Sequence, residues 1–239
     1  MMAADPPAAG LPGSFRLDRS RAASAQVYEH LRELIVTLAL MPGAALSRSE
    51  LAAYFDLSAM PVRDALTQLH KERLVDIFPQ YLTRVSGIDL DSARQAHVLR
   101  LSVELEVAHG LAQQPDPALE AKLLALVERQ RACLQSDDLG GFVVADMAFH
   151  KTMFEAARLM EIFDLIRNVS GHLDRLRRLH LPVQGKAQSV LDDHMAIAHA
   201  IGRGDPVAAY GAARGHLSGT LSALDSLRER YPGYILPLS

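Results

Sequence analysis

Asp146 and His150 stand four residues apart in a stretch that reads as one helix, from Asp137-Asp138 to about Arg158-Leu159. That spacing puts both side chains on one face, one turn apart, a usual way for a helix to offer two metal ligands. His194 and His216 stand on two later helices and join them only if the bundle brings those helices together. One carboxylate and three imidazoles suit Zn, Ni, Fe or Mn by ligand type. Four protein ligands also leave positions open for water or a ligand carboxylate. Spacing alone leaves the pair open between a metal site and two ordinary helix residues. The chain has 10 histidines and no tryptophan. His30, His70, His97, His109 and His180 read as packing or surface residues, whereas His172 and His199 flank apolar faces.

These side chains need elements to carry them. Val27, Leu31, Leu34, Ile35 and Leu38 recur at helical spacing behind a possible cap at Ser24, and Met41-Pro42-Gly43 ends the run. Ser47 or Ser49 opens a short helix through Phe55, and Asp56-Leu57-Ser58 turns the chain. Ser58 caps a third helix with Pro61 in its first turn, where the missing N–H costs nothing. Leu74–Ile77 and Thr83–Ser86 alternate as two short strands joined by a hairpin. After Gly87 the pattern is helical throughout. The expected helices run from Asp89 or Asp91 to Gln113, from Asp116 to Gln135, and from Asp137-Asp138 to about Leu159. Three more run from Met160 to Leu181, from Lys186 to Gly202, and from Pro206 to about Arg230.

The fold class is therefore mainly α: an N-terminal winged helix-turn-helix followed by an all-α bundle of six to seven helices. The expected organisation is a flexible tail over 1–20, a DNA-binding winged helix-turn-helix over 21–88, and a helical effector- and metal-binding domain over 89–231. The 239 residues hold two such domains comfortably. No apolar run reaches the roughly 18 residues that span a bilayer, and the Ala/Pro/Gly-rich start lacks the pattern of a secretion signal. The single cysteine, Cys133, excludes an internal disulfide framework and a cysteine-based zinc finger, so a cytoplasmic location is expected. Net charge is −3, with nine basic against nine acidic residues up to position 88 and sixteen against nineteen after it. A DNA-binding reading must then rest on residue placement rather than bulk charge. Arg63, one turn into the Ser58–Glu72 helix, is placed to reach a phosphate or a guanine edge. Gln68 lies further along it, and Gln80, Tyr81, Thr83 and Arg84 ride on the hairpin.

Leu46-Ser47-Arg48-Ser49-Glu50-Leu51-Ala52 followed by Leu57-Ser58-Ala59-Met60-Pro61-Val62-Arg63-Asp64-Ala65-Leu66 resembles the GntR family of bacterial regulators, and Phe78-Pro79-Gln80 with Thr83-Arg84-Val85-Ser86 resembles its wing. The resemblance implies DNA contacts from Arg48, Ser58, Arg63 and Arg84, followed by Ser49 and Thr67. The chain departs from the pattern at Ala59, where an Arg is usual, and at Tyr81-Leu82, where a wing-tip Gly is usual. The second departure changes the wing turn, because Leu takes positive φ far less readily than Gly.

Beyond residue 90, Asp146-Met147-Ala148-Phe149-His150, His194-Met195-Ala196-Ile197 and Ala212-Ala213-Arg214-Gly215-His216-Leu217 resemble the motifs of the all-helical FCD effector domain, as does Arg100 with Glu104. This implies a divalent metal on Asp146, His150, His194 and His216, zinc first, with nickel, manganese or iron as alternatives. It also implies a small carboxylate-bearing metabolite beside the metal. Arg100 matches the position that reaches that carboxylate, and its forked guanidinium suits one. A salt bridge to Glu104 on the same helix face is the competing role. Glu104, Asn168 and Arg175 are further effector candidates, with Arg178 behind them. Family likeness implies a homodimer on double-stranded operator DNA, with no membrane partner. The rival readings are a metal-dependent hydrolase or lyase acting on a small organic acid, and a helical interaction protein whose first domain no longer binds DNA.

Overall fold

Helix α1 (Ala23–Val36) buries Val27, Leu31, Leu34 and Ile35, the stripe that the sequence spacing predicts. Its N-cap is Ala22, without a side-chain bond, rather than Ser24. It also ends earlier than expected, because Leu38 turns left-handed at φ 62°. Helix α2 (Arg48–Phe55) starts at Ser47, whose side chain accepts from the Glu50 amide, and ends at left-handed Asp56. Helix α3 (Ala59–Lys71) has Ser58 at the N-cap position, but the Ser58 side chain makes no capping hydrogen bond. Strands β1 (Val75–Phe78) and β2 (Leu82–Val85) pair antiparallel, Val75 opposite Val85. A segment missed by sequence reasoning joins them: Ala45 bridges Arg84, and the Leu46 amide donates to the Thr83 carbonyl at 2.8 Å.

The structure, a computed structural model, describes residues 10–11 and 15–236. Two compact units emerge from it. One gathers the described residues up to Ala93 with Gly171–Arg178 and those from Arg228 on; the other gathers Arg94–Ser170 and Leu179–Leu227. Of the expected tail, residues 1–9 and 12–14 lie outside the described residues. Residues 15–20 are anchored at Phe15 and Asp18, with Arg16 and Asp18–Ser20 exposed. Phe15 lies 4.9 Å from the His30 ring and 5.0 Å from the Phe55 ring, and the Asp18 amide donates to Gln26 Oε1 at 2.8 Å. The reason is the apolar Phe15 ring, which joins the partly buried shell around the first core.

The second unit is helical. It holds most of α4 (Leu90–Gln113), then α5 (Pro117–Gln135), α6 (Leu139–Ala156), α7 (Met160–Val169), α9 (Lys186–Gly202) and α10 (Pro206–Ser218). Asp116, Asp138 and Asp205 cap α5, α6 and α10 by accepting backbone amides, as their placement before each run predicts. Two of the expected long helices are each divided. The stretch from Met160 divides at Ser170 into α7 and α8 (Gly171–His180), and the last stretch divides after Ser218 into α10, a short 3-10 turn and α11 (Leu224–Arg230). Ser170 turns its hydroxyl onto the Ile166 carbonyl at 2.7 Å. A Cβ on Gly171 would stand 2.9 Å from Leu74 Cδ2, so the chain comes close there because glycine is present.

Residues 171–178 belong to the first unit, where they hold the segment that follows the wing. Arg175 is fully buried and donates to the Ser86 carbonyl at 2.8 Å and the Gly87 carbonyl at 3.3 Å. Its second amino group donates to His172 Nδ1, which also accepts the Asp89 amide, both at 2.9 Å. The C-terminal segment adds a parallel bridge between Ile88 and Ile235, with the Ile88 amide on the Tyr234 carbonyl at 2.7 Å. Gly87 admits this strap: a Cβ there would stand 2.5 Å from Leu236 Cδ2. Among the described residues, no helix is long and apolar enough to cross a membrane.

Candidate metal centre and DNA-facing surface

The buried face of α6 runs Phe142, Ala145, Asp146, Phe149, His150, Met153. Two polar residues thus occupy positions that packing alone would fill with apolar ones. The same holds on α9, where His194 lies among Leu191, Ile197 and Ala198, and on α10, where His216 lies beside Ala213 and Leu217. Burying polar groups costs free energy unless they are satisfied, so their convergence needs a chemical reason.

The four side chains do converge. One candidate ligand atom from each of Asp146, His150, His194 and His216 lies within 4.8 Å of every other, and all four residues are buried. The His216 Nε2 is 3.2 Å from His194 Nε2 and 3.3 Å from His150 Nε2. Asp146 Oδ1 is 3.7 Å from His194 Nε2. A tetrahedral ion at the usual metal–nitrogen length of about 2.0–2.1 Å would space its ligands about 3.3 Å apart. The nitrogen spacing found here fits that. Neutral imidazoles turning lone pairs toward one another repel, and a cation between them removes the repulsion.

A polar side chain also stands behind each ring, hydrogen-bonded at His194, in ion-pair contact at His150 and beyond hydrogen-bond range at His216. His150 Nδ1 lies 2.8 Å from Glu104 Oε2. His194 Nδ1 lies 2.7 Å from Gln130 Oε1, and Gln130 is fully buried. His216 Nδ1 lies 3.6 Å from Asp193 Oδ2, whose carboxyl burial raises its pKa above the ordinary value. At His194 the Gln130 oxygen can only accept, which keeps the proton on Nδ1 and leaves the Nε2 lone pair free for a metal; a carboxylate behind His150 favours the same tautomer. Phe149 stacks on His194 at 4.1 Å and 5°, which fixes the ring plane. Gln130 and Asp193 escaped sequence reasoning. The available signals were a polar residue one helical step after Val127 on an apolar stripe, and a carboxylate adjacent to His194.

The effector candidates separate. Arg100 is buried and gives its Nε to Glu104 Oε1 at 2.5 Å, so the competing salt bridge is formed. Burial alone would raise the Glu104 carboxyl, but Arg100 and His150 outweigh it and hold the group well below the usual carboxylate range. Asn168 is exposed on α7. Arg175 does not join Arg100, because its guanidinium is committed to the Ser86 and Gly87 carbonyls in the first unit. Arg178 likewise gives its Nε to the Thr37 carbonyl at 3.4 Å. Of the other histidines singled out, His199 meets Glu120 at 2.9 Å and His172 belongs to the Arg175 network.

In the first unit, Arg48, Ser49, Ser58, Arg63, Thr67 and Arg84 are all exposed. Ser58, Met60, Arg63 and Thr67 lie on the first turns of α3, the part of a recognition helix that meets base edges. Thr67 bonds back to the Arg63 carbonyl at 2.8 Å. Arg84 pairs with Asp76 at 3.2 Å and lies over the Phe78 ring at 5.1 Å. At the wing tip the positive φ falls on Gln80, at 59°, so Leu82 is spared and continues the strand; Tyr81 is 81% exposed.

Comparison with known proteins follows the same two parts. Residues 23–85 match the gntR family of bacterial regulatory proteins, and residues 95–219 match the FCD domain. An HTH-type transcriptional regulator from an unstable DNA locus of Streptomyces ambofaciens is 34% identical over 206 residues, 86% of each chain. The HTH-type transcriptional repressor RspR of Escherichia coli K12 is 26% identical over 214 residues, 90% of this chain and 94% of that one. The solved structure of E. coli McbR/YncC superposes with a TM-score of 0.72 at 17% identity, covering 88% of this chain and 99% of that one, a likeness of fold.

Proposed function

The chain belongs to the gntR family of bacterial regulatory proteins, is a DNA-binding transcriptional regulator with an FCD domain and not an enzyme, and from that premise we propose that a divalent metal and a small organic acid in the helical unit set its operator affinity. The observation that carries this reading is the convergence of Asp146, His150, His194 and His216 in one buried cluster. An ion held there, zinc first, would offer a Lewis-acidic position to a ligand carboxylate by expanding its coordination beyond the four protein ligands. Arg100 stands one residue beyond its ligand His150, through Glu104, and offers the second anchor for an acid. The hydrolase or lyase reading gives way to family membership.

On the DNA side, the first turns of α3 enter the major groove, with Arg63 reaching a base edge or phosphate and Arg48, Ser49, Ser58 and Thr67 supporting it. The wing contributes Arg84. The protein works in the bacterial cytoplasm as a homodimer on a near-palindromic operator, so that its two-fold axis matches that of the DNA. Repression is the direction that the name of the repressor RspR suggests, and relief of it by ligand is the sign of response in this reading. A coupling of about 1–3 kcal/mol between ligand and DNA changes operator affinity roughly five- to 150-fold.

The test is fluorescence anisotropy on the DNA upstream of the protein's own gene, with a scrambled duplex as control, before and after metal chelation. Selective binding that changes on chelation supports the reading. Arg63→Ala is expected to weaken it by about 1–3 kcal/mol. Unchanged affinity in that variant counts against α3 as the reading element, whereas wild type binding no better than to the scrambled duplex favours a domain that has lost DNA binding.

A further inference from the structure

We infer that Glu104 is a positioning residue of the metal centre, aiming and polarising His150 from behind, and that Arg100 sets how much of the Glu104 charge reaches that ring. The inference rests on the four-residue cluster being a divalent metal site. Its own observation is a three-group chain. Arg100 Nε meets Glu104 Oε1 at 2.5 Å, Glu104 Oε2 meets His150 Nδ1 at 2.8 Å, and His150 Nε2 faces His216 Nε2 at 3.3 Å inside the cluster. Arg100, Glu104 and His150 are 6, 4 and 4% exposed, so water screens none of these contacts appreciably.

The three imidazoles are not held alike. Behind His194 stands a neutral amide, Gln130 Oε1. Behind His216 stands the half-buried Asp193 at the longer distance of 3.6 Å. Behind His150 stands a buried carboxylate in close contact, and that carboxylate is shared with a second cation. A carboxylate at Nδ1 keeps the proton there, leaves Nε2 as the donor and makes the ring a stronger ligand. Arg100 draws on the same charge from the other oxygen. It compensates the carboxylate in the buried site and also competes with His150 for it. An acidic ligand that takes Arg100 away from Glu104 returns that charge to His150, so acid and metal reinforce each other's binding, as linkage requires. Sequence spacing hides this, because Arg100 and Glu104 read as a self-contained i, i+4 pair.

The experiment is Co2+ titration of the full-length protein at pH 8.0 against a colorimetric chelator, with the visible absorption of bound Co2+ as a second readout. Thermal unfolding of each metal-free variant accompanies it. Glu104→Gln keeps the size and an acceptor oxygen but removes the charge. It is expected to weaken Co2+ about 10- to 100-fold and to shift the Co2+ bands. Arg100→Gln is expected to bind Co2+ more tightly than wild type, and the double variant to follow Glu104→Gln. Opposite signs are the signature, since a merely structural pair would weaken metal binding in both variants and only in proportion to lost stability. Glu104→Gln within about twofold of wild type, with unshifted bands, overturns the inference. So does parallel weakening in both single variants. Should wild type take up no Co2+, or His194→Ala take it up equally well, the metal-site reading itself falls.

Discussion

His172 should make the first unit sensitive to mild acid. Its Nδ1 accepts two hydrogen bonds, from the Arg175 guanidinium and the Asp89 amide, so a proton can be added there only by breaking both. Burial, and then the neighbouring Arg175 charge, push the imidazole down from 6.5 to about 3. The folded value lies below the unfolded one, so the unfolded chain takes the proton first. The stabilisation is complete above pH 6.5 and drains away as pH falls from 6.5 toward about 3. Relative to pH 7.5, the loss from this one residue is on the order of 1 kcal/mol at pH 5.5 and about 2 kcal/mol at pH 5.0. The assay is urea unfolding followed by circular dichroism in metal-free buffer, comparing wild type with His172→Asn. The variant keeps an acceptor oxygen near the same place but cannot titrate. Other histidines contribute alike to both proteins and cancel in the difference. Wild type should lose on the order of 1 kcal/mol more than the variant between pH 7.5 and 5.5. Parallel pH dependence in the two proteins would show that His172 is not held neutral by Arg175 and the Asp89 amide.

Two further outcomes follow from the geometry. Zinc at a hundredfold excess over its dissociation constant should stabilise the protein by about 2.7 kcal/mol, bound at one ion per chain by elemental analysis, and His194→Ala should abolish the response of the melting curve. Gly87→Val should cost about 1–3 kcal/mol by overpacking, because its Cβ would stand 2.5 Å from Leu236 Cδ2. Adding Leu236→Ala should recover much of that loss in the same unfolding assay, whereas additive losses would mean that the C-terminal strap does not pack there.

What was legible in the sequence, and what was not, divides along a physical line. Asp146 and His150 could be found from their i, i+4 spacing on one helix, and His194 and His216 from the motifs that resemble the FCD domain; the structure adds that each breaks an otherwise apolar helix face. The caps Asp116, Asp138 and Asp205 were local signals. The break at Ser170 was not. Phe163, Ile166, Ser170, Leu173 and Leu176 keep three- and four-residue spacing straight through it, and what marks the division is a partner almost a hundred positions earlier, Leu74, lying against Gly171. Arg175, an effector candidate by sequence, is opaque for a similar reason. A buried arginine in a helical domain suggests a ligand carboxylate, yet its acceptors are the backbone carbonyls of Ser86 and Gly87, and a carbonyl has no sequence signature. The wing shows the converse. The absence of Gly predicted an altered tip, but Gln80 took the left-handed position and left Leu82 in the strand. Chemistry that side chains on a helix face perform together is written in spacing, whereas a partner that is backbone, or distant along the chain, becomes visible only once the fold has formed. The link from Arg100 through Glu104 to His150 lies between these cases. Its first half is an i, i+4 pair on α4, readable in advance, and its second half crosses to α6, which is why the pair looked complete without the ring that gives it a function.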